Sequence, residues 1–411
     1  MTDARTTAAV LAHIDAHHAE QVDFLAELIR VPSDNPPGDC APHAVRAAAL
    51  LEAQGFTVER HPVPQDAVRA VGMVSATNLI VRHRFGAGPT VALNAHGDVV
   101  APGAGWSSDP YGAEQRDGRM YGRGVAVSKS DFATYAFALG ALRDTGAALG
   151  GTVELHLTYD EETGGAIGPA WLLEHGLTRP DYAVSAGFAY AITVAHNGCL
   201  HLEVTVRGKS AHAARPETGV DALEAATRLL TALYAMRPAL AAATSGVPGI
   251  THPSLNVGLI KGGINTNVVP DLVTFRLDRR IIPEESAAKA EAELRAAIAA
   301  AAAGMPGIAV EVTQILLATP LGPVPGQERL VAALQDGALA AGYQHLPTDG
   351  TPIYTDARLY SSAGIPTVLF GAGPQNMLEA NGHRADENLL LEDLRRATRI
   401  TALGLMALLR G

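Results

Sequence analysis

Asn94-Ala95-His96-Gly97-Asp98-Val99-Val100 and Asp160-Glu161-Glu162-Thr163-Gly164-Gly165 are the two stretches on which the fold turns. Each follows a strand-like run. Thr90 to Leu93 is short, continuous and bounded by turn residues, whereas Val153, Leu155, Leu157 and Tyr159 alternate with polar neighbours; both patterns predict buried or half-buried strands. A polar cluster directly after each strand lies where open α/β sheets bind ligands, beyond the strand C-terminal ends. Consecutive acids usually mark a solvated turn, but Glu161-Glu162 stands between an apolar strand and a glycine pair, which favours a functional role.

Working outward, Val22, Leu25, Leu28 and Ile29 recur at helical spacing until Pro32 and the loop Ser33 to Gly38 stop them. Ala44 to Gln54 reads as a second helix ended by Gly55, Asn78 to Val81 as a buried strand, and Ser130 as the cap of a helix running to about Arg143. Strands alternating with helices predict an α/β sandwich with a mainly parallel sheet. From about Asn197 the pattern changes to a strand (Leu200 to Val206), a helix (Asp221 to Met236), a strand (Val268 to Leu277) and an Ala-rich helix (Ala287 to Ala303), as in a compact α+β insert. Leu330 to Leu339, Thr367 to Phe370 and Leu391 to Leu409 return to the first style. Residues 1–193 and 316–411 are therefore expected to form one discontinuous catalytic domain around an insert at 194–315.

The chain has 411 residues, enough for two domains, with 47% hydrophobic and 18% charged residues. A net charge of −11 without a basic run argues against nucleic acid or an anionic membrane as partner and favours a small molecule. Cys40 and Cys199 cannot build a disulfide framework and suit a reducing compartment. No secretory h-region and no apolar span of about 20 residues is visible, so the expected location is the cytoplasm.

A hydrolytic metal centre needs His and carboxylate ligands, an open position for water and a nearby base. His96 supplies an imidazole that Asp98 can orient from behind. Around it the succession His96-Gly97-Asp98, Gly105-Trp106-Ser107-Ser108-Asp109-Pro110-Tyr111, Tyr121-Gly122-Arg123-Gly124, Glu161-Glu162 and Ala380 to Glu387 resembles the M20 family of metal-dependent peptidases and amidohydrolases. The likeness runs in order from Leu25 to Leu405. It implies a phosphorylase/hydrolase-like α/β catalytic sandwich with an inserted α+β, ferredoxin-like dimerisation domain, hence a homodimer. It also implies hydrolysis of an amide in an N-acyl amino acid or small peptide that carries a carboxylate.

By the same resemblance His96, Glu162 and His383 would be metal ligands, Asp98 the support of His96, and Glu161 the general base. His212, in Gly208 to Pro216, would stabilise the oxyanion of a neighbouring subunit's substrate. Asn267, Arg280, Asp356, Arg358, Gly371 and Gly373 would line the substrate cleft, although Arg280 could equally pair with Asp278, Glu284 or Glu285. Two family ligands are missing. Val127 stands where a bridging aspartate is expected and Ala186 where another carboxylate belongs; Asp131, one helical turn further on, is either a replacement or a first-turn carboxylate favoured by the helix dipole. His96, Glu162 and His383 carry one ligand charge, too little for two close cations in a low-dielectric cleft. The expectation is one divalent metal at most, zinc first with manganese or cobalt as alternatives, even though in the family the counterpart of His96 serves the other ion from Glu162 and His383. Without a metal, Glu161 could still drive an isomerisation or elimination, or the cleft could only bind.

Overall fold

The computed structural model describes residues 4–375 and 377–410. Two compact units emerge: one holds the chain up to Val194, Pro323–Asp349 and the chain from Thr355, the other Ala195–Gly322 and Gly350–Tyr354.

The first unit is built on an eight-stranded sheet in the order Val58–Pro62, Thr77–Arg84, Thr152–Thr158, Thr90–His96, Tyr182–Ser185, Thr367–Leu369, Ile192–His196, Thr348–Thr351. Its centre, from Thr152–Thr158 to Thr367–Leu369, is parallel, and antiparallel neighbours flank it. The sheet is thus mixed rather than mainly parallel, as large α/β sheets often are. On the strand Thr90–His96, Val91 and Leu93 join the main core with Phe132 and Leu139 of the helix Lys129–Asp144, while Ala92 packs with Ala183 and Tyr360 in a separate cluster. Both faces are covered, which is why this run is continuous in the sequence. Each fully buried Val or Leu contributes about 1.5–3 kcal/mol.

Ser130 does not cap the following helix. That helix begins at Lys129, the preceding Ser128 makes no capping bond, and the Ser128 hydroxyl bonds the backbone of His96 instead.

The second unit is an antiparallel sheet in the order Ser254–Gly262, Leu272–Ile281, Gly198–Arg207, Ala309–Ala318, with helices Ala222–Ala235 and Ala287–Ala302. Leu200, Leu202, Val204 and Val206 bury one face with Leu229, Leu233, Leu294 and Ile298. Asp221 accepts from the N–H groups of Leu223 and Glu224 and so starts the first helix. The expected strand Val268 to Leu277 is split into Val268–Val269 and Leu272–Ile281, because Pro270 between them has no N–H to give a ladder. Ser254–Gly262 and Ala309–Ala318 were not legible as strands; each carries a register shift that breaks its alternation. Among the described residues no helix is long and apolar enough to cross a membrane.

Candidate active site

His96 ends its strand and is 6% exposed. Its Nδ1 faces Asp98, 3.0 Å from the backbone carbonyl and 3.3 Å from Oδ1, which turns Nε2 away toward the glutamates. Asp98, fully buried, also accepts from Asn35 Nδ2 at 3.0 Å and from the N–H groups of Glu161 at 3.3 Å and Glu162 at 3.1 Å. One carboxylate therefore fixes the imidazole and the acidic turn together. Asn35 lies in a loop whose sequence signalled only a turn.

Glu161–Thr163 forms one turn of 3-10 helix after the strand Thr152–Thr158. One ligand atom each from His96, Glu161 and Glu162 falls within 4.8 Å of the others. Glu161 Oε2 is 3.9 Å from His96 Nε2, beyond hydrogen-bond reach. His383, held at φ +62° in the left-handed region, places Nε2 3.5 Å from Glu162 Oε1. That contact is too long for a good hydrogen bond, and Oε1 is left buried without a donor. Non-glycine residues in this region store strain and gather at functional sites.

Burial pushes the Glu161 carboxyl well above the usual range, His96 opposes this and Glu162 adds to it. For His96 burial works against the charged ring, yet Glu161, Asp98 and Glu162 outweigh it and raise its pKa well above ordinary. The Glu162 carboxylate beside His383 raises that imidazole too. The carboxylates thus favour positive charge on both histidines, and a divalent cation is the other species that would balance them. Together with the orphaned Glu162 oxygen, this donor set fits a divalent cation.

Val127 and Ala186 bring no ligand atom. Val127 immediately precedes Ser128, whose Oγ accepts from the N–H of His96 and donates to its carbonyl. The N–H of Val127 and that of Ala126 point to Glu387, which is fully buried against Arg123. Asp131 is buried too and is turned elsewhere: its Oδ1 accepts the N–H of Ala372 at 2.6 Å. Burial raises its pKa to about 7. Gly371 lies against the same carboxylate, where a Cβ would come within 2.2 Å of Oδ1, and Gly373 exchanges backbone bonds with Gly187 and Ala189. Both glycines are buried, so they clamp the loop after Thr367–Leu369. Asp356 and Arg358 are also buried, and Arg358 Nη2 donates to the carbonyl of Gly164 at 2.5 Å, bracing the turn after Glu161-Glu162. Burial raises Asp356 to about 6, against His96 and Arg358.

Three expected site residues lie in the second unit. His212 and Asn267 are exposed on a short ribbon, where Ala213 N–H donates to the Asn267 carbonyl and His212 Nδ1 accepts from Ala214 N–H. Arg280 directs Nε and Nη2 onto the two oxygens of Asp278, each at 3.0 Å.

Residues 92–407 match Peptidase family M20/M25/M40, and the chain belongs to that family. It is similar to the succinyl-diaminopimelate desuccinylase of Gluconacetobacter diazotrophicus, 29% identical over 389 residues that cover 92% of this chain and 94% of the relative. The acetylornithine deacetylase of Proteus mirabilis is 30% identical over 336 residues, 79% of this chain and 80% of its own. Among solved structures, an M20 family metallo-carboxypeptidase, Sso-CP2 from Sulfolobus solfataricus, superposes with a TM-score of 0.78 at 17% identity over 95% of this chain and 99% of that one. The fold is that of M20 peptidases, and the chain is a hydrolase of this type.

Proposed function

We propose that this protein hydrolyses the amide of an N-acyl amino acid or small acylated peptide bearing a carboxylate, with no more than one divalent ion at the centre. The convergence of His96, Glu161 and Glu162 within 4.8 Å, with Asp98 behind them and His383 beside Glu162, carries this reading. His96, Glu162 and His383 would hold the ion, zinc by donor chemistry with manganese or cobalt as alternatives; when bound it would polarise the scissile carbonyl and acidify water. Glu161 takes the proton of the attacking water and returns it to the leaving amine, a role that its raised pKa suits. Asp98 keeps His96 and the Glu161 backbone in register. His212 is assigned the oxyanion and Asn267 the substrate, with Arg280 offering the substrate only the donors that its fork on Asp278 leaves over; Asp356, Arg358, Gly371 and Gly373 shape the cleft from its buried side.

A homodimer joined through the second unit belongs to the same proposal. The edge strand Ser254–Gly262 exposes Leu259 and Ile260 at 61% and 53%, a liability that pairing with a second copy would remove.

The test is release of free amine from a panel of N-succinyl and N-acetyl amino acids after loading with zinc, manganese or cobalt. Hydrolysis of at least one, lost on chelation, is expected. No hydrolysis together with solvent-deuterium incorporation into a panel member would replace this reading with metal-free proton abstraction by Glu161.

A further inference from the structure

Outside the glutamate cluster, one other group of ligating side chains converges among the described residues: Cys199, His201 and Asp278 on the second unit's sheet. Cys199 and His201 alternate along Gly198–Arg207, and Asp278 is in register with His201 on the neighbouring strand Leu272–Ile281. All three side chains project from the face opposite the Leu200–Val206 core. Cys199 Sγ lies 3.1 Å from His201 Nε2, His201 Nε2 lies 3.1 Å from Asp278 Oδ2, and Sγ lies 3.8 Å from Asp278 Oδ1.

Two chemistries use these residue types. In a nucleophilic triad the thiol meets one ring nitrogen and the carboxylate the other, so that the ring relays a proton. Here sulfur and carboxylate both face Nε2, and relay through the ring is impossible. Metal ligands instead converge on one point. Zinc bonds of about 2.0–2.3 Å in a tetrahedron put neighbouring ligand atoms about 3.3–3.7 Å apart; Sγ, Nε2 and the Asp278 carboxylate approach one another at 3.1–3.8 Å, through one oxygen or the other.

We infer that Cys199, His201 and Asp278 form a binding site for a thiophilic divalent cation, zinc or cobalt, within the second unit. On binding, the Cys199 thiol loses its proton to water, and His201 presents an unprotonated Nε2 with its ring proton on Nδ1. Thiolate and carboxylate then match the two positive charges. Arg280 supports Asp278 from behind; a carboxylate has about four lone-pair directions, so its fork leaves room for the ion. Cys199 is buried while the His201 and Asp278 side chains are 35% and 29% exposed, which leaves the fourth position toward solvent for water.

Cobalt(II) titrated into the chelator-treated full chain tests this, because only a sulfur ligand gives an intense thiolate-to-cobalt charge-transfer band and the glutamate cluster contains no sulfur. The band should reach the intensity of one thiolate-bound cobalt per chain, with the sulfur-free glutamate cluster taking up a second cobalt without adding to it; it should vanish in Cys199→Ser, persist in Cys40→Ser and be competed away by zinc. His201→Gln, at a half-exposed position that tolerates change, should weaken cobalt binding at least about 10-fold as judged by the same band. Absence of the band in the parent chain, its survival in Cys199→Ser, or unchanged affinity in His201→Gln overturns the site. None of these readouts depends on hydrolysis.

Discussion

The carboxylate of Asp98 stands 3.3 Å from Nδ1 of His96 and at the same time accepts the backbone N–H groups of Glu161 and Glu162. Two segments far apart in the chain thereby share one buried anion, and whatever moves it moves His96 and the Glu161-Glu162 turn together.

Asp98→Asn keeps the shape but halves the acceptor capacity, since an amide nitrogen cannot accept from a backbone N–H. Metal affinity of the glutamate cluster should fall about 10–100-fold by titration calorimetry. Unchanged affinity would show that the backbone carbonyl of Asp98 alone orients His96.

Glu161→Gln removes the proposed base without changing size. The turnover number should drop about 10²–10⁴-fold with the melting temperature retained. Near-normal turnover in this variant would assign proton transfer to another group.

Ion count follows from Val127 and Ala186. In a Cys199→Ser background, which removes the sulfur site, elemental analysis should find one ion per chain, and none after His96→Ala. Adding Val127→Asp with Ala186→Glu restores the carboxylates that two adjacent cations require, and the count should rise to two. Two ions before that addition would mean that other side chains already neutralise a pair.

Lys129 is fully buried, with Nζ 3.0 Å from the carbonyl of Val31 and 3.4 Å from that of Leu28. Burial lowers its pKa from 10.5 to about 7. Between those values the unfolded chain binds the extra proton, so stability should rise as pH rises through the window. Urea unfolding at pH 7 and pH 9 should show this gain in the parent and lose it in Lys129→Met. Equal pH slopes in the two proteins would refute it.

Ile260→Lys on the edge strand Ser254–Gly262 should convert a dimer to a monomer in sedimentation, since a charged lysine on an edge opposes strand pairing. A parent chain that is monomeric at working concentration would reject the dimer itself.

How far the chain was legible depended on how local the cause was. Thr90 to Leu93 and Leu391 to Leu409 showed their elements because burial on both faces, or along one helical stripe, leaves a period in the residues themselves. Ala309–Ala318 hid because a register shift between Gln314 and Leu316 interrupts its alternation. Ser130 read as the helix cap, yet the helix starts at Lys129 and the Ser128 hydroxyl before it goes to His96, a partner that no local pattern announces.

By itself the sequence determined the α/β and α+β parts, the order of the motifs, and the identity of the residues able to ligate or take a proton. It also determined that Val127 and Ala186 carry no carboxylate, because residue type is a local fact. Tertiary structure decided the rest. Asp131 could have faced the cluster, but it is spent on the N–H of Ala372; Arg280 is forked onto Asp278; and Cys199, His201 and Asp278 meet only because register pairs strands that are some eighty residues apart in the chain. Hydrogen-bond and ligand geometry depends on the meeting of distant segments, and that meeting is set by sheet register and packing, which are properties of the whole fold.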